Sequence, residues 1–173
     1  MRKDDLITLM PHVSGRGMTR NASAPFSIVG FLAELGSHIL DTYLIVLIAM
    51  DGIIQGNLVI KEKNLIENIH FAIIDMYNEN LLPSLQACLQ VTIKTALHRF
   101  SSLGQITMQT YLNANGSRVS YFSGQMDQLK SVQDSIELVS QLLQYQPASI
   151  GEIERKVQLA IEQALVTHLT SRL

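Results

Sequence analysis

The apolar period of this chain changes at one place, and that change limits the folds open to it. Up to Gly104 the apolar residues recur every three or four positions; from Gln105 to Leu112, QITMQTYL, they alternate. Ile106, Met108 and Leu112 fall on one side and Gln105, Thr107 and Gln109 on the other, which is the period of a half-buried strand. Asn113-Ala-Asn-Gly116 follows, and its Asn115-Gly116 pair tolerates the positive φ of a tight turn. Ser117 to Phe122 then alternates again through Val119 and Tyr121. The pattern predicts a β-hairpin over 105–122, inside a chain whose other periodic stretches are helical.

Three helices are predicted before the hairpin. The first runs from about Pro25, a residue suited to a first helical turn, to Met50. Its apolar stripe (Ile28, Phe31, Leu32, Leu35, Ile39, Leu40, Tyr43, Leu44, Leu47) is broad enough to be buried on more than one side, and Gly52 and Gly56 mark its end. Asn64-Leu-Ile-Glu67 has the form of a capping box, so the second helix should start there and end at Asn78, Asn80 and Pro83. The third should open after Pro83 with Ser84 as cap and stop at Gly104. Two helices follow the hairpin, one over about Gly124–Tyr145 ended by Pro147, and one started by the capping box Ser149-Ile-Gly-Glu152.

The expected fold is therefore mainly α: a helical domain with one β-hairpin in a winged-helix-like arrangement. Residues 1–23 carry no sustained period and read as a loose segment. Residues 24–125 form the helical domain with its hairpin, and 126–173 supply the C-terminal helices. A chain of 173 residues fits one ordinary domain. Its 47% hydrophobic content excludes disorder of the whole chain. Only 16% of residues are charged, against about 25% in an average domain, which fits a piece that rests on another surface. A formal charge of −2 excludes a generally polyanion-binding character. The most apolar run, Tyr43–Met50, is far shorter than the roughly 20 residues of a spanning helix. Extending it from Phe26 to Ile54 takes in Glu34, His38, Asp41 and Asp51, so it reads as a core helix.

Few residues suggest chemistry. His70-Phe-Ala-Ile-Ile-Asp75 has the His-x4-Asp spacing of glycerolipid acyltransferases, in which the histidine serves as general base and the aspartate orients it. On a helix, five residues at about 100° each place the two side chains about 140° apart, so they diverge. His38 and Asp41 could meet as an i,i+3 pair, but no third ligand is near for a metal. Lys94, His98 and Arg99 give the third helix a weakly basic face. Three such groups are few for DNA, and a solvated face is expected. Cys88, the one cysteine, reads as a small buried hydrophobe. No catalytic, cofactor-binding or metal-ligating residue is assigned.

The middle of the chain is similar to the C-terminal region of the glycerol-3-phosphate and dihydroxyacetone-phosphate acyltransferase family. The segments that carry the resemblance are FLAELGSHILDTYLIV (31–46), LIENIHFAIIDMY (65–77) and SLQACLQVTIKTALHRFSSLGQI (84–106). In the last, Ser84 opens a helix, Lys94 to Leu97 form its core and Leu103 to Ile106 step into the hairpin. The match covers about residues 28–125 and rests on packing patterns.

The family's catalytic blocks lie upstream of this region and do not carry over. The resemblance thus implies a non-catalytic C-terminal domain of a glycerol-3-phosphate O-acyltransferase-like enzyme of glycerophospholipid biosynthesis, inactive alone and without cofactor. It implies the parent's catalytic domain as partner, with acyl-CoA and glycerol 3-phosphate engaged only through that domain, and no nucleic acid. It also implies membrane association through the parent, on mitochondrial, peroxisomal, endoplasmic reticulum or bacterial inner membranes. The alternative is a winged-helix-like module that binds nucleic acid or protein.

Overall fold

The computed structural model describes residues 28–170; the segment 1–23 and the expected helix start at Pro25 lie outside them. The described residues form five α-helices and one small antiparallel sheet: α1 (Ile28–Gln55), β1 (Val59–Lys61), α2 (Glu62–Asn78), a 3-10 turn (Leu85–Cys88), α3 (Gln90–Ser102), β2 (Thr107–Leu112), β3 (Arg118–Ser123), a second 3-10 turn (Met126–Gln128), α4 (Leu129–Leu143) and α5 (Pro147–Thr170). The fold is mainly α. From α1 to β3 the elements follow the helix–strand–helix–helix–strand–strand order of a winged-helix-like unit, with sheet order β1-β3-β2.

Helix α1 is the centre of the molecule. Leu44 to Met50 are all buried, with Ile53 and Ile54 beyond them, because α3, α4, α5 and the first 3-10 turn all pack on α1. A helix that is apolar on every side has to be surrounded in this way. By length and composition alone Gly36–Gln55 could cross a bilayer, and the fold buries 61% of its most apolar 18-residue window. The helices beyond residue 126 complete the same core. Val132, Val139 and Leu143 of α4 join it, as do Ile153, Val157, Ile161 and Ala164 of α5. Each such buried Val, Leu or Ile side chain contributes roughly 1.5–3 kcal/mol.

Several local expectations need correction. The short strand β1 had no visible signal: three residues are too few for an alternation. It pairs with β3 in the register Ile60 to Phe122, and Met108 of β2 faces Phe122 from the other side. That row turns inward, so the core residue of the second hairpin strand is Phe122, whereas Val119 and Tyr121 are only half-buried. A one-residue phase error exchanges the two faces of a strand.

The second helix begins at Glu62 rather than Asn64, because β1 runs straight into it and Lys61 takes the cap position without a side-chain bond. Asn64 is inside the helix, its carbonyl accepting from Asn68 Nδ2 at 2.8 Å. Ser84 does cap, but it caps the 3-10 turn, accepting from the Gln86 amide at 3.2 Å, and α3 proper starts at Gln90. Gly52 lies within α1, which continues to Gln55. Pro147 opens α5 instead of ending α4, since a first-turn position does not need the missing N–H, and Ser149 is already helical. Helix α4 ends where Gln144 turns left-handed at φ 55°. The helix stop at Gly104 (φ 75°) and the turn at Gly116 (φ 75°) fall where the sequence places them.

Candidate functional site

The His70–Asp75 pair does not form a catalytic dyad. His70 is half-buried and its Nδ1 lies 2.6 Å from the carbonyl oxygen of Cys88. A carbonyl only accepts, so Nδ1 carries the proton and donates it to the backbone. A carboxylate orienting a general base needs such an N–H for itself. Asp75 is exposed, five positions along the same helix. The histidine thus works as a fastener between α2 and the 3-10 turn. Thr42 reinforces the turn from the other side, its buried hydroxyl lying 3.0 Å from the Ala87 carbonyl.

Of the i,i+3 pair His38 and Asp41, the aspartate has a partner far along the chain. Asp41 is fully buried and accepts from Tyr145 Oη at 2.8 Å, a bond that joins α1 to the α4–α5 connection. The carbonyl of His38 accepts from Thr42 Oγ1 at 2.8 Å. Among the described residues no group of three or more His, Cys, Asp or Glu side chains could hold a metal. Cys88 is half-buried rather than enclosed.

The basic face of α3 is largely neutralised from within. Glu62, on the first turn of α2, reaches His98 Nε2 at 2.6 Å and Lys94 Nζ at 3.6 Å. Burial pushes the Glu62 carboxyl up, but the hydrogen bond to His98 and the charge of Lys94, helped by His98 and Ser120, outweigh it. The group is held below the ordinary glutamate range. His98 also packs edge-on against Phe122, ring centroids 6.2 Å apart. Of the three basic residues on this helix, Arg99 alone carries no ion pair among the described residues. Sequence reasoning missed Glu62 because its partners lie 32 and 36 residues away, beyond any local spacing rule.

What the region does present is apolar. Leu85, Leu89 and Val91 are exposed along the 3-10 turn and the start of α3, Val91 at 77%. The His70–Cys88 bond holds the adjacent turn of α2 against this segment, and Phe71 there is 61% exposed. Leu103, at the far end of α3, is exposed as well. A run of apolar groups left exposed along one segment is a candidate surface for contact. No family model, curated protein or solved structure matches this chain.

Proposed function

We propose that this chain is the non-catalytic C-terminal domain of a glycerol-3-phosphate O-acyltransferase-like enzyme, and that it docks against the enzyme's catalytic domain. The observation that carries this reading is the exposed apolar series Leu85, Leu89 and Val91. It lies in the 84–106 segment on which the resemblance chiefly rests. The commitment of His70 Nδ1 to the Cys88 carbonyl supports the non-catalytic half of the proposal. Membrane association, acyl-CoA and glycerol 3-phosphate then belong to the parent enzyme.

The test has two parts. The purified chain, given palmitoyl-CoA and glycerol 3-phosphate, should form no lysophosphatidate; formation of it would overturn the proposal. Mixed with an acyltransferase catalytic domain of this family, the chain should bind, and the Leu89→Ser/Val91→Ser variant should lose that binding while keeping its circular dichroism spectrum.

The strand order β1-β3-β2 favours a second reading, a winged-helix-like module for nucleic acid. On that reading α3 would face the groove. Glu62 opposes it by occupying Lys94 and His98. Fluorescence anisotropy with a duplex at low salt separates the two, because phosphate contacts are strongest there. A salt-dependent complex would favour the module, and none is expected.

A further inference from the structure

Helices α4 and α5 stand apart over the C-terminal half of α1 and leave an open groove between them of about 1320 Å³. Small-molecule pockets run to about 300–1,000 Å³ and enclose their ligands, so a larger open channel fits a segment of chain better. Its apolar part is made by Ile48 of α1, Leu58, Ile136 of α4 and Leu165 of α5. Its polar part is acidic. Asp51, Glu137, Glu154 and Glu162 line it, and none of them has an ion pair among the described residues. Glutamine amides partner three of them instead: Gln55 and Gln133 donate to Asp51, Gln141 to Glu137 and Gln158 to Glu162. Arg155, the one cation of the lining, is held by Glu152.

A groove with an aliphatic floor and four uncompensated carboxylates asks for one kind of occupant. We propose that it binds a basic amphipathic helix of a partner protein, whose leucine-like face meets Ile48, Ile136 and Leu165 and whose lysines or arginines meet the carboxylates. Charge complementarity selects that partner over an acidic or purely apolar one. The groove shares no residue with the apolar edge at 85–91, so this proposal does not rest on the acyltransferase reading.

The probe is a synthetic 14-residue peptide of leucine and lysine at helical spacing, titrated into the full-length 15N-labelled chain. The amides of Gly52, Gly56, Ser140 and Gly151 should shift. A peptide with glutamate in place of lysine should bind at least about tenfold more weakly, since like charges now meet. Glu137→Lys/Glu154→Lys should weaken the lysine peptide at least about tenfold, while Asp75→Lys, on α2, should leave it unchanged. Should the double variant fail to fold, the single neutral change Glu154→Gln should still lower affinity about two- to threefold. Equal binding of the two peptides, no binding, or shifts confined to residues 71–91 would overturn the proposal.

Discussion

Tyr145 donates its hydroxyl to the fully buried carboxyl of Asp41 at 2.8 Å, across 104 residues of chain. The bond ties the α4–α5 connection to the central helix, and it makes a buried acid tolerable in an otherwise aliphatic core. Taking one partner from a buried acceptor costs about 1–3 kcal/mol. Tyr145→Phe should therefore lower the stability measured by urea denaturation by that amount. Tyr111→Phe, whose hydroxyl bonds Gln109 on the exposed hairpin, should change it by less than about 0.5 kcal/mol.

Glu62 gives the fold a pH dependence of known sign. Its carboxyl is held below the ordinary glutamate value of 4.5 in the folded chain. The unfolded chain takes up the proton more readily, so the stability contributed by this group is present above that value and lost as the pH falls through the folded pKa. Glu62→Gln should cost about 1 kcal/mol at neutral pH, the scale of one ordinary hydrogen bond. The difference between variant and parent should then shrink below pH 4.5, as followed by urea melts across pH 3–7.

Two glycines should respond in opposite directions to the same added methyl. A Cβ on Gly124 would lie 2.2 Å from Ile54 Cγ1 and 2.9 Å from Ile54 Cα, so the backbones must part. Such overpacking costs about 1–3 kcal/mol, the expected loss for Gly124→Ala. A Cβ on Gly151, inside α5, meets nothing within 4 Å. Gly151→Ala should stabilise the chain by about 0.5–1 kcal/mol through helix propensity alone. Thermal melts of both variants check the pair.

His70 should prove structural. Its imidazole holds α2 to the 3-10 turn, so His70→Ala should cost about 1–2 kcal/mol of stability. His70→Asn, with an amide that can donate to the Cys88 carbonyl, should recover part of that loss. A residue acting as a base in chemistry would show no such rescue in a denaturation experiment.

Much of this architecture could be read from residues. The period change at Gly104 and the Asn115-Gly116 turn are local signals, and each appears where its spacing places it. The stripe on α1 was legible only in part: Leu44 and Leu47 are buried, but Ile39 is 41% exposed and Ile45 and Val46, outside the stripe, are enclosed. What escaped depended on distant partners. β1 exists because Ile60 finds Phe122 on a strand more than sixty residues away, and three residues carry no period of their own. Helix starts shifted because Lys61 and Pro147 take positions that Asn64 and Ser149 looked better suited to fill. The divergence of His70 and Asp75 was legible from helix geometry, but the Cys88 carbonyl that claims the imidazole was not. Glu62 drew no notice because one acid in a helical turn is ordinary until Lys94 and His98 are placed beside it.

Docking by the 84–91 edge, rather than catalysis, is what hydrogen–deuterium exchange tests most directly. Amide exchange over residues 84–91 would be followed with and without a glycerol-3-phosphate acyltransferase catalytic domain. Slower exchange across Leu85, Leu89 and Val91 in the mixture, with other solvent-facing segments unchanged, is the predicted result. Unaltered exchange through that stretch, at concentrations where the two proteins associate, would contradict it.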